Sequence, residues 1–511
     1  MKKTDSFSFG VVLLTLSAII VKLIGVCYKI PLMHILGAQG MGYFNTAYDV
    51  YALLCIVSTT GLPVAVSVIM NQNMGQHKRV FRLSLFVFFL LGIVGAVAVF
   101  MWAETIADAI GAPLAVKSLK CIAPAIFFIS LSGAYRGFYQ AKCNMIPTAI
   151  SQVVEAACKL IFGLIFAQIA IKRNLPIEYI AAYAVFGLTI GTGFCLFYLI
   201  LCKKRELNSS IEAKPYSSIL YALAKIALPV TLGALLSGAS KTIDLALIMR
   251  RLQLSGVQQQ DTVALYGCYT TMVIPLFGAI PALFGSIAMS IVPHLSYAIR
   301  SSDRQEQMQI IQSAIRLTAI FSIPSALGLG LLAKPVLSLL FALTDDTQIA
   351  VHLLTIVCIA IPASCMITVT SAILQAYNKS WVPMLATVIG CIIKAVLLYF
   401  LAASPDIGIA AAPISTLVCC CVTVCINLFC IEKYAPPFHF SRSWGESVIS
   451  AILSVGVAAL TYRYASQMVR SNALMIVLCI CIAIPIYFIT SLKLGLITTS
   501  DIKTLIKKDT K

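Results

Sequence analysis

The sequence predicts an all-α polytopic membrane protein with about fourteen transmembrane helices. Its residues are 60% hydrophobic and only 11% charged, whereas a soluble domain is roughly one-quarter charged. Apolar runs of about 20 residues, the length that crosses a bilayer, follow one another along the chain. A weak internal repeat divides these runs into two parallel six-helix lobes and two C-terminal helices. Such a repeat predicts a central cavity between the lobes.

The apolar runs and the short segments between them set the predicted elements. The predicted spans cover residues 9–35, 46–70, 83–103, 118–140, 146–171, 179–202, 219–249, 263–293, 310–333, 347–377, 381–403, 408–431, 445–465 and 472–491. The corresponding domains are an N-terminal lobe (1–203), a cytoplasmic linker (204–218), a C-terminal lobe (219–432), two additional helices (445–491) and a basic cytoplasmic tail (492–511). That tail suits either a short helix lying on an anionic leaflet or a solvated segment.

The distribution of basic residues orients these spans in the membrane. The chain has 37 Lys and Arg and a formal net charge of +18. Twenty of the 37 lie in segments on the N-terminal side of the membrane and nine lie in the opposite loops. Because cytoplasmic loops carry the excess of Lys and Arg, both termini are predicted to be cytoplasmic, in a multi-pass protein of the cell membrane.

The internal repeat is visible in two pairs of segments. Gln140 precedes Lys159 by the same 19 residues that separate Gln375 from Lys394. Matching the Gly-x-Gln segments at 37–39 and 256–258 also places Lys22 opposite Lys241. Since six spans is an even number, the second copy would enter the membrane in the same sense as the first.

Charged residues within the predicted spans mark the candidate site. The basic ones are Lys22, Lys29, Arg136, Lys159, Lys225, Lys241, Arg316 and Lys394, and the acidic ones are Asp49, Glu155 and Asp244. Helical spacing suggests two internal pairs, Glu155 with Lys159 and Lys241 with Asp244. Arg136 and Arg316 lie near cytoplasmic ends, where a long side chain can extend its charge to the interface.

Five lysines are harder to place against lipid, because a cation at membrane depth costs a few kcal/mol or more. They are Lys22, Lys29, Lys159, Lys241 and Lys394. We expect them to line a wet cavity that binds an anion, with Arg136, Lys225, Asp49, Glu155 and Asp244 in support. A lipid-linked diphosphate fits this pattern, because its head group needs neutralising and its tail can stay in the bilayer. Flexible lysines hold phosphate as point charges without fixing its orientation, as a moving ligand requires.

Other motifs give no sign of an active site. No Gly-Lys pair is present, which excludes a P-loop ATPase. The five histidines are scattered, and the 18 cysteines are expected to serve as small helix residues, so no metal or cofactor is predicted. The glycines Gly37, Gly40 and Gly42 are predicted to form a tight outer turn. Prolines that permit bending fall within the spans at Pro63, Pro124, Pro229, Pro275, Pro281, Pro324 and Pro362.

Four stretches resemble the polysaccharide biosynthesis family, and within it the proteins similar to stage V sporulation protein B. They are VKLIGVCYKIPLMHILGAQGMGYFNTAYDVY (21–51), STTGLPVAVSVIM (58–70), RGFYQAKCNMIPTAISQVVEA (136–156) and LPVTLGALLSGASKTIDLALIMRRL (228–252). That family is part of the multidrug/oligosaccharidyl-lipid/polysaccharide exporter superfamily, which includes the lipid II flippases. The resemblance covers essentially the whole chain.

The resemblance implies two lobes of six helices with two extra C-terminal helices. It also implies alternating-access transport of undecaprenyl-diphosphate-linked glycans for the cell wall or spores, without a cofactor, by a protein that could work beside cell-wall synthesis enzymes. In the lipid II flippases, basic residues of the first helix line the cavity, and Lys22 matches such a position through Gly25. The next such position is Tyr28 here, with Lys29 adjacent, so lipid II and other lipid-linked glycans both stay candidates. A coupling ion and the membrane potential are both open as energy sources.

Three alternatives make different predictions from the same sequence. A cation-coupled drug exporter of the same superfamily would favour acids in its cavity, whereas these spans are basic. A major facilitator would carry a G-x-x-x-D-R-x-G-R-R-like loop after its second span, but residues 71–82 read NQNMGQHKRVFR. A membrane enzyme or a scaffold for one would need a polar catalytic cluster at one interface, and none is visible.

Overall fold

The computed structural model describes residues 3–72, 77–142, 144–203, 216–341, 344–436, 441–465 and 472–496. Within these ranges the chain is almost entirely helical and contains no strand. Twelve of the described helices are long and apolar enough to cross a bilayer, or thirteen when the bent pair Asp346–Cys358 and Ile361–Ala376 is taken as one span. The predicted fold class is therefore confirmed.

The described chain divides into two compact units, Met1–Gly267 and Cys268–Lys511. The helices of the first unit are α1 Lys3–Ile56, α2 Leu62–Gln72, α3 His77–Met101, α4 Ala103–Ile110, α5 Val116–Ala141, α6 Ile146–Lys172, α7 Ile177–Leu201, α8 Tyr216–Leu254 and α9 Gln259–Cys268. Short π-helical and 3-10 turns lie at Val57–Gly61 and Pro113–Ala115. Helix α8 packs on α1, α2 and α4, so its residues can be placed against those of the N-terminal helices.

Helix α1 contains 54 residues and a single break at Gly37. At about 1.5 Å per residue such a helix would be far longer than the roughly 30 Å hydrocarbon layer. Gly37 has φ 61° and ψ −175°, a backbone conformation that a side chain would strain. It separates a first arm, residues 3–36, from a second arm, residues 38–56. The predicted turn is thus confined to Gly37, whereas Gly40 and Gly42 are helical and buried.

Close glycine contacts join α6, α7 and the first arm of α1. Gly163 of α6 faces Gly187 of α7. A Cβ on Gly187 would overlap the Gly163 backbone, and a Cβ on Gly163 would overlap the Tyr28 side chain. The Tyr28 hydroxyl donates a hydrogen bond to the carbonyl of Ala184 on α7 at 3.3 Å. Tyr28 is therefore buried and fixed, which sets the rotation of the adjacent Lys29 on the first arm.

The second unit begins with a π-helical turn at Tyr269–Val273. Its helices are α10 Ile274–Arg300, α11 Arg304–Leu331, α12 Ala333–Leu340, α13 Asp345–Cys358, α14 Ile361–Ala376, α15 Trp381–Leu401, α16 Ala411–Tyr434, α17 Ser441–Ala465 and α18 Asn472–Lys493, with a 3-10 turn at Gly408–Ala410. Helices α17 and α18 correspond to the two additional helices of the prediction and pack on α11 and α12.

Several irregular elements occur twice along the chain, as the predicted repeat requires. Gly37 and Gly256 both have positive φ, 61° and 94°. Each is followed by a π-helical turn, at Val57–Gly61 and Tyr269–Val273. Later in each copy an eight-residue helix, α4 or α12, follows a long helix. These matching irregularities support the predicted internal repeat.

The boundaries of the two lobes and the number of fourteen spans stay predictions. The span recognised over Leu16–Gln72 is 57 residues long and covers both the first and the second predicted spans. The central part of the predicted linker (204–215) and most of the predicted tail (497–511) lie outside the described residues.

A proline-freed carbonyl anchors α18 to α11. Pro324 lies inside α11 and lacks the N–H that would bond the carbonyl four residues earlier, on Ile320. The Tyr487 hydroxyl of α18 donates to that carbonyl at 2.9 Å. Ile323 of α11 and Ala451 of α17 are buried beside this contact. The C-terminal pair of helices is thus fastened at the bend of α11.

We predict that Tyr487→Phe lowers the free energy of unfolding by about 1 kcal/mol, because a buried carbonyl loses its donor. Tyr464→Phe is the matched control, since Tyr464 is 71% exposed on α17. The unfolding temperature of the detergent-solubilised protein checks this prediction. Equal unfolding temperatures for the two variants would contradict it.

Candidate functional site

The first arm of α1 carries two of the predicted lysines on one face. Lys22 and Lys29 are seven residues apart in unbroken helix, almost two turns. Lys22 is exposed, and Lys29 is half-buried beside the fully buried Tyr28. The predicted shared face is therefore present, and the two lysines differ in their surroundings.

The second arm of α1 brings a carboxylate to Lys29. Asp49 accepts a hydrogen bond of 2.7 Å from the hydroxyl of Tyr266, a buried side chain of α9. Asp49 also interacts electrostatically with Lys29 and with Lys241 of α8. Lys29 and Lys241 in turn repel one another. The carboxylate therefore lies among ammonium groups from two different helices.

Lys159 of α6 joins this group through aromatic rings. Its ammonium lies 4.3 Å from the ring centroid of Tyr48 and 5.3 Å from that of Tyr28. The Tyr48 ring is stacked on Phe44, with centroids 6.2 Å apart and planes 10° from parallel. A cation over a tyrosine face gains about 0.5–2 kcal/mol, more where water is excluded. Lys159 is also within electrostatic range of Lys29.

Glu155 has a second partner besides the one predicted. Its carboxylate accepts a hydrogen bond from Arg136 of α5 at 2.9 Å, and it also interacts electrostatically with Lys159, the partner that the helical spacing suggested. The guanidinium also donates to Ser151 of α6 at 3.2 Å and lies 3.2 Å from the thiol of Cys195 on α7. The prediction that Arg136 extends to the interface is wrong, because Arg136 is only 7% exposed and ties three helices together.

The remaining predicted residues of α8 lie on either side of Pro229. Lys225 and Lys241 are both exposed on the first unit, and Asp244 is buried at 6% exposure. The pairing of Lys241 with Asp244 stays a prediction. What the structure adds for Lys241 is its interaction with Lys29 and Asp49 across to α1.

Lys394 lies in the second unit and is fully buried on α15. It interacts with the thiols of Cys419 and Cys420 on α16. Its repeat counterpart Lys159 is half-buried over aromatic rings. In the second copy, the positions that match Arg136 and Glu155 hold Ser371 and Gly390. The ion pair of the first copy therefore has no equivalent in the second.

Three tyrosines of this site were not predicted from the sequence: Tyr28, Tyr48 and Tyr266. Tyr48 shares a helix face with Phe44 and Tyr51 at spacings of four and three residues, which was a visible signal. Tyr266 has no such signal, since it meets Asp49 across 217 positions of chain. The predicted lysines were found by their cost in a membrane, whereas an aromatic residue in an apolar span costs nothing.

We call Lys29, Lys159, Lys241 and Asp49 the cation cluster. Three ammonium groups and one carboxylate leave two formal positive charges among the four side chains. That balance suits an anion with two or more negative charges. Within the described residues, no three His, Cys, Asp or Glu side chains gather as a metal site would require.

Comparison with known proteins places these features in a family. The family described as "Lipid II flippase MurJ" matches residues 72–484. Stage V sporulation protein B of Bacillus subtilis (strain 168) is 22% identical over 449 residues, which cover 84% of this chain and 85% of the relative. The lipid II flippase MurJ of the same organism is 23% identical over 415 residues, covering 76% of each chain.

Solved structures show the same fold. A lipid II flippase MurJ in an inward closed conformation superposes with a TM-score of 0.74 at 16% identity, covering 94% of this chain and 98% of that one. An inward-facing multidrug resistance MATE family transporter of the MOP superfamily gives a TM-score of 0.62 at 14% identity, covering 81% of this chain and 98% of that one. The resemblance to stage V sporulation protein B and the lipid II flippases seen in the sequence is confirmed by the family match and the relatives.

We predict that Glu155→Gln lowers the free energy of unfolding by roughly 2–4 kcal/mol, because it leaves the Arg136 guanidinium without its carboxylate in a buried place. The matched control is Glu104→Gln. Glu104 binds Lys120 at the same distance of 2.9 Å, but its side chain is 73% exposed. Breaking an exposed pair is expected to change stability by less than about 1 kcal/mol. Equal unfolding temperatures for the two variants would show that Arg136 does not depend on Glu155.

Proposed function

The chain belongs to the MurJ family of lipid II flippases, and from this we propose that it moves an undecaprenyl-diphosphate-linked glycan across the cytoplasmic membrane. The substrate is lipid II or a related cell-wall or polysaccharide precursor. Movement runs from the inner to the outer leaflet by alternating access. Both termini are on the cytoplasmic side, and cell-wall synthesis enzymes would supply and consume the glycan.

The observation that carries this proposal is the cation cluster within apolar helices. Ammonium groups at membrane depth are costly unless they face water or an anion. Lys29, Lys159 and Lys241 come from three separate helices and interact with one another or with Asp49. A diphosphate carries at least two negative charges, which is the surplus that the cluster offers. Lysines can release such a group more readily than bidentate arginines.

Lys22 and Lys394 extend the proposed path for the anion. Lys22 lies about 10 Å along the first arm from Lys29, on the same face. An anion leaving one lysine could thus meet the other without crossing lipid. Lys394 is fully buried in the structure, so its role requires a state in which α15 and α16 move apart. Lys225, Arg136, Glu155 and Asp244 support the site from neighbouring helices.

The fold likeness to a multidrug transporter raises the question of a cationic substrate. The charges of the cation cluster disfavour a cationic substrate. Glu155 interacts with Lys159, but its charge is paired with Arg136, so the charges of the three cluster lysines are offset mainly by Asp49. A cationic drug would add a fourth positive charge to this group. A membrane enzyme is also disfavoured, because the family is one of flippases.

We predict that Lys22→Ala and Lys29→Ala each abolish complementation of a flippase-deficient bacterial strain at normal protein level. Each removes a cation from the path of the diphosphate. Lys172→Ala is the control, because Lys172 is an exposed residue of the last turn of α6. Full complementation by the Lys22 and Lys29 variants would refute the proposed path.

Reconstitution in liposomes tests the substrate itself. Labelled lipid II and other labelled undecaprenyl-diphosphate-linked glycans are offered to the purified protein, and their transfer between leaflets is followed. We expect protein-dependent transfer of at least one of them, and its loss in the Lys29→Ala variant. If no lipid-linked diphosphate moves, the proposed function is wrong.

A further inference from the structure

We propose that Asp49 is the internal counter-ion of the cation cluster and that an incoming diphosphate must displace it from the lysines. This inference rests on the proposed function for the identity of the substrate. It assigns to Asp49 a role in specificity: the carboxylate sets the minimum charge that a ligand must bring.

The lysines of the cation cluster repel one another. Lys29 is close enough to both Lys241 and Lys159 for mutual repulsion. In apolar surroundings this repulsion is much stronger than in water. A carboxylate among the three ammonium groups offsets part of it, and Asp49 interacts with Lys29 and Lys241. The Lys159 ammonium lies over the rings of Tyr28 and Tyr48, the chain neighbours of Lys29 and Asp49, so these residues share one place in the first unit. Asp49 is therefore the carboxylate positioned to offset the charges of Lys29 and Lys241.

A hydrogen bond from Tyr266 anchors Asp49. Its Oδ2 atom accepts the hydroxyl of Tyr266 at 2.7 Å. Tyr266 is 1% exposed, so its own position is fixed by α9. A carboxylate has two oxygens, and a donor on Oδ2 leaves Oδ1 directed to other groups. The side chain is thus anchored by one oxygen and can exchange its ammonium partners.

Glu155 is less suited to this role, although it interacts with Lys159. Arg136 donates to its carboxylate at 2.9 Å, in a network with Ser151. Asp49 differs because it accepts its hydrogen bond from the neutral hydroxyl of Tyr266, and its charged neighbours are Lys29 and Lys241. This is the arrangement of a replaceable counter-ion.

The consequence is discrimination by charge. A ligand with a single negative charge merely replaces the charge of Asp49, so it gains little binding free energy. A diphosphate brings more negative charge than the carboxylate that it displaces. The native protein should therefore prefer diphosphates to monophosphates. Removing the carboxylate charge should strengthen the binding of both and reduce the difference between them. It should also slow release, so that KM and the maximal transport rate fall together.

Anion titration of the purified protein in detergent tests the displacement. Inorganic pyrophosphate and orthophosphate are added to the native protein and to Asp49→Asn, and the unfolding temperature is followed. We expect Asp49→Asn to bind pyrophosphate roughly tenfold more tightly and to lose much of its preference over orthophosphate. Tyr266→Phe should change the pyrophosphate affinity and the preference over orthophosphate in the same direction to a smaller extent. It is the test variant if Asp49→Asn folds poorly. Tyr221→Phe is the control, since Tyr221 is 70% exposed on α8.

Pyrophosphate affinity that is unchanged or weaker in both Asp49→Asn and Tyr266→Phe would overturn the proposal. A double-mutant cycle provides a second measurement that needs no ligand. Asp49→Asn should lower the free energy of unfolding of the native protein. The loss should be much smaller in a Lys29→Met background, because the Lys29 charge that Asp49 offsets is then absent. Additive effects would also overturn the proposal.

These measurements separate the inference from the proposed function. If no undecaprenyl-linked diphosphate is transferred in liposomes but Asp49 still competes with pyrophosphate, the proposed substrate fails and the counter-ion role stands. If transfer occurs but the cycle is additive and pyrophosphate binding does not respond to Asp49, the counter-ion role fails and the flippase stands.

Discussion

The cost of holding ammonium groups at membrane depth is the constraint on which the first unit of this protein depends. Each charge removed from water must meet an opposite charge, an aromatic face or a wet path. The structure uses different means for different residues. Arg136 is neutralised by Glu155 at 2.9 Å and stays buried. Lys159 lies over the rings of Tyr48 and Tyr28. Lys29 and Lys241 meet Asp49.

The backbone break at Gly37 makes the last of these solutions possible. A continuous helix would carry Asp49 about 30 Å from Lys29, since twenty residues separate them. With φ at 61° in Gly37, the second arm changes direction and places Asp49 within electrostatic range of Lys29. The stretch 21–51 is therefore one structural unit, in which Gly37 joins the arm that carries Lys29 to the arm that carries Asp49.

The two copies of the predicted internal repeat hold their matching lysines in different surroundings. Lys159 is half-buried beside Tyr48 and belongs to the cation cluster, whereas Lys394 is fully buried near the thiols of Cys419 and Cys420. The copies share a glycine break, a π-helical turn and a short helix. They do not share the Arg136–Glu155 pair. Similar backbones have thus come to hold different charge networks, and the network that could bind an anion lies in the first copy.

The sequence by itself determined the class of fold, because apolar runs of bilayer length leave the backbone no alternative to the helix. It also identified the cluster lysines and Asp49, since a charge inside an apolar run is visible without any structure. Only the tertiary structure decided the partners. Helical spacing pointed Glu155 to Lys159, and the structure adds a hydrogen bond from the Arg136 guanidinium of α5. Tyr266 meets Asp49 across 217 positions of chain. Contacts between helices depend on how their faces are rotated against one another, and close approaches such as that of Gly163 to Tyr28 set this rotation. No local pattern in the chain encodes them.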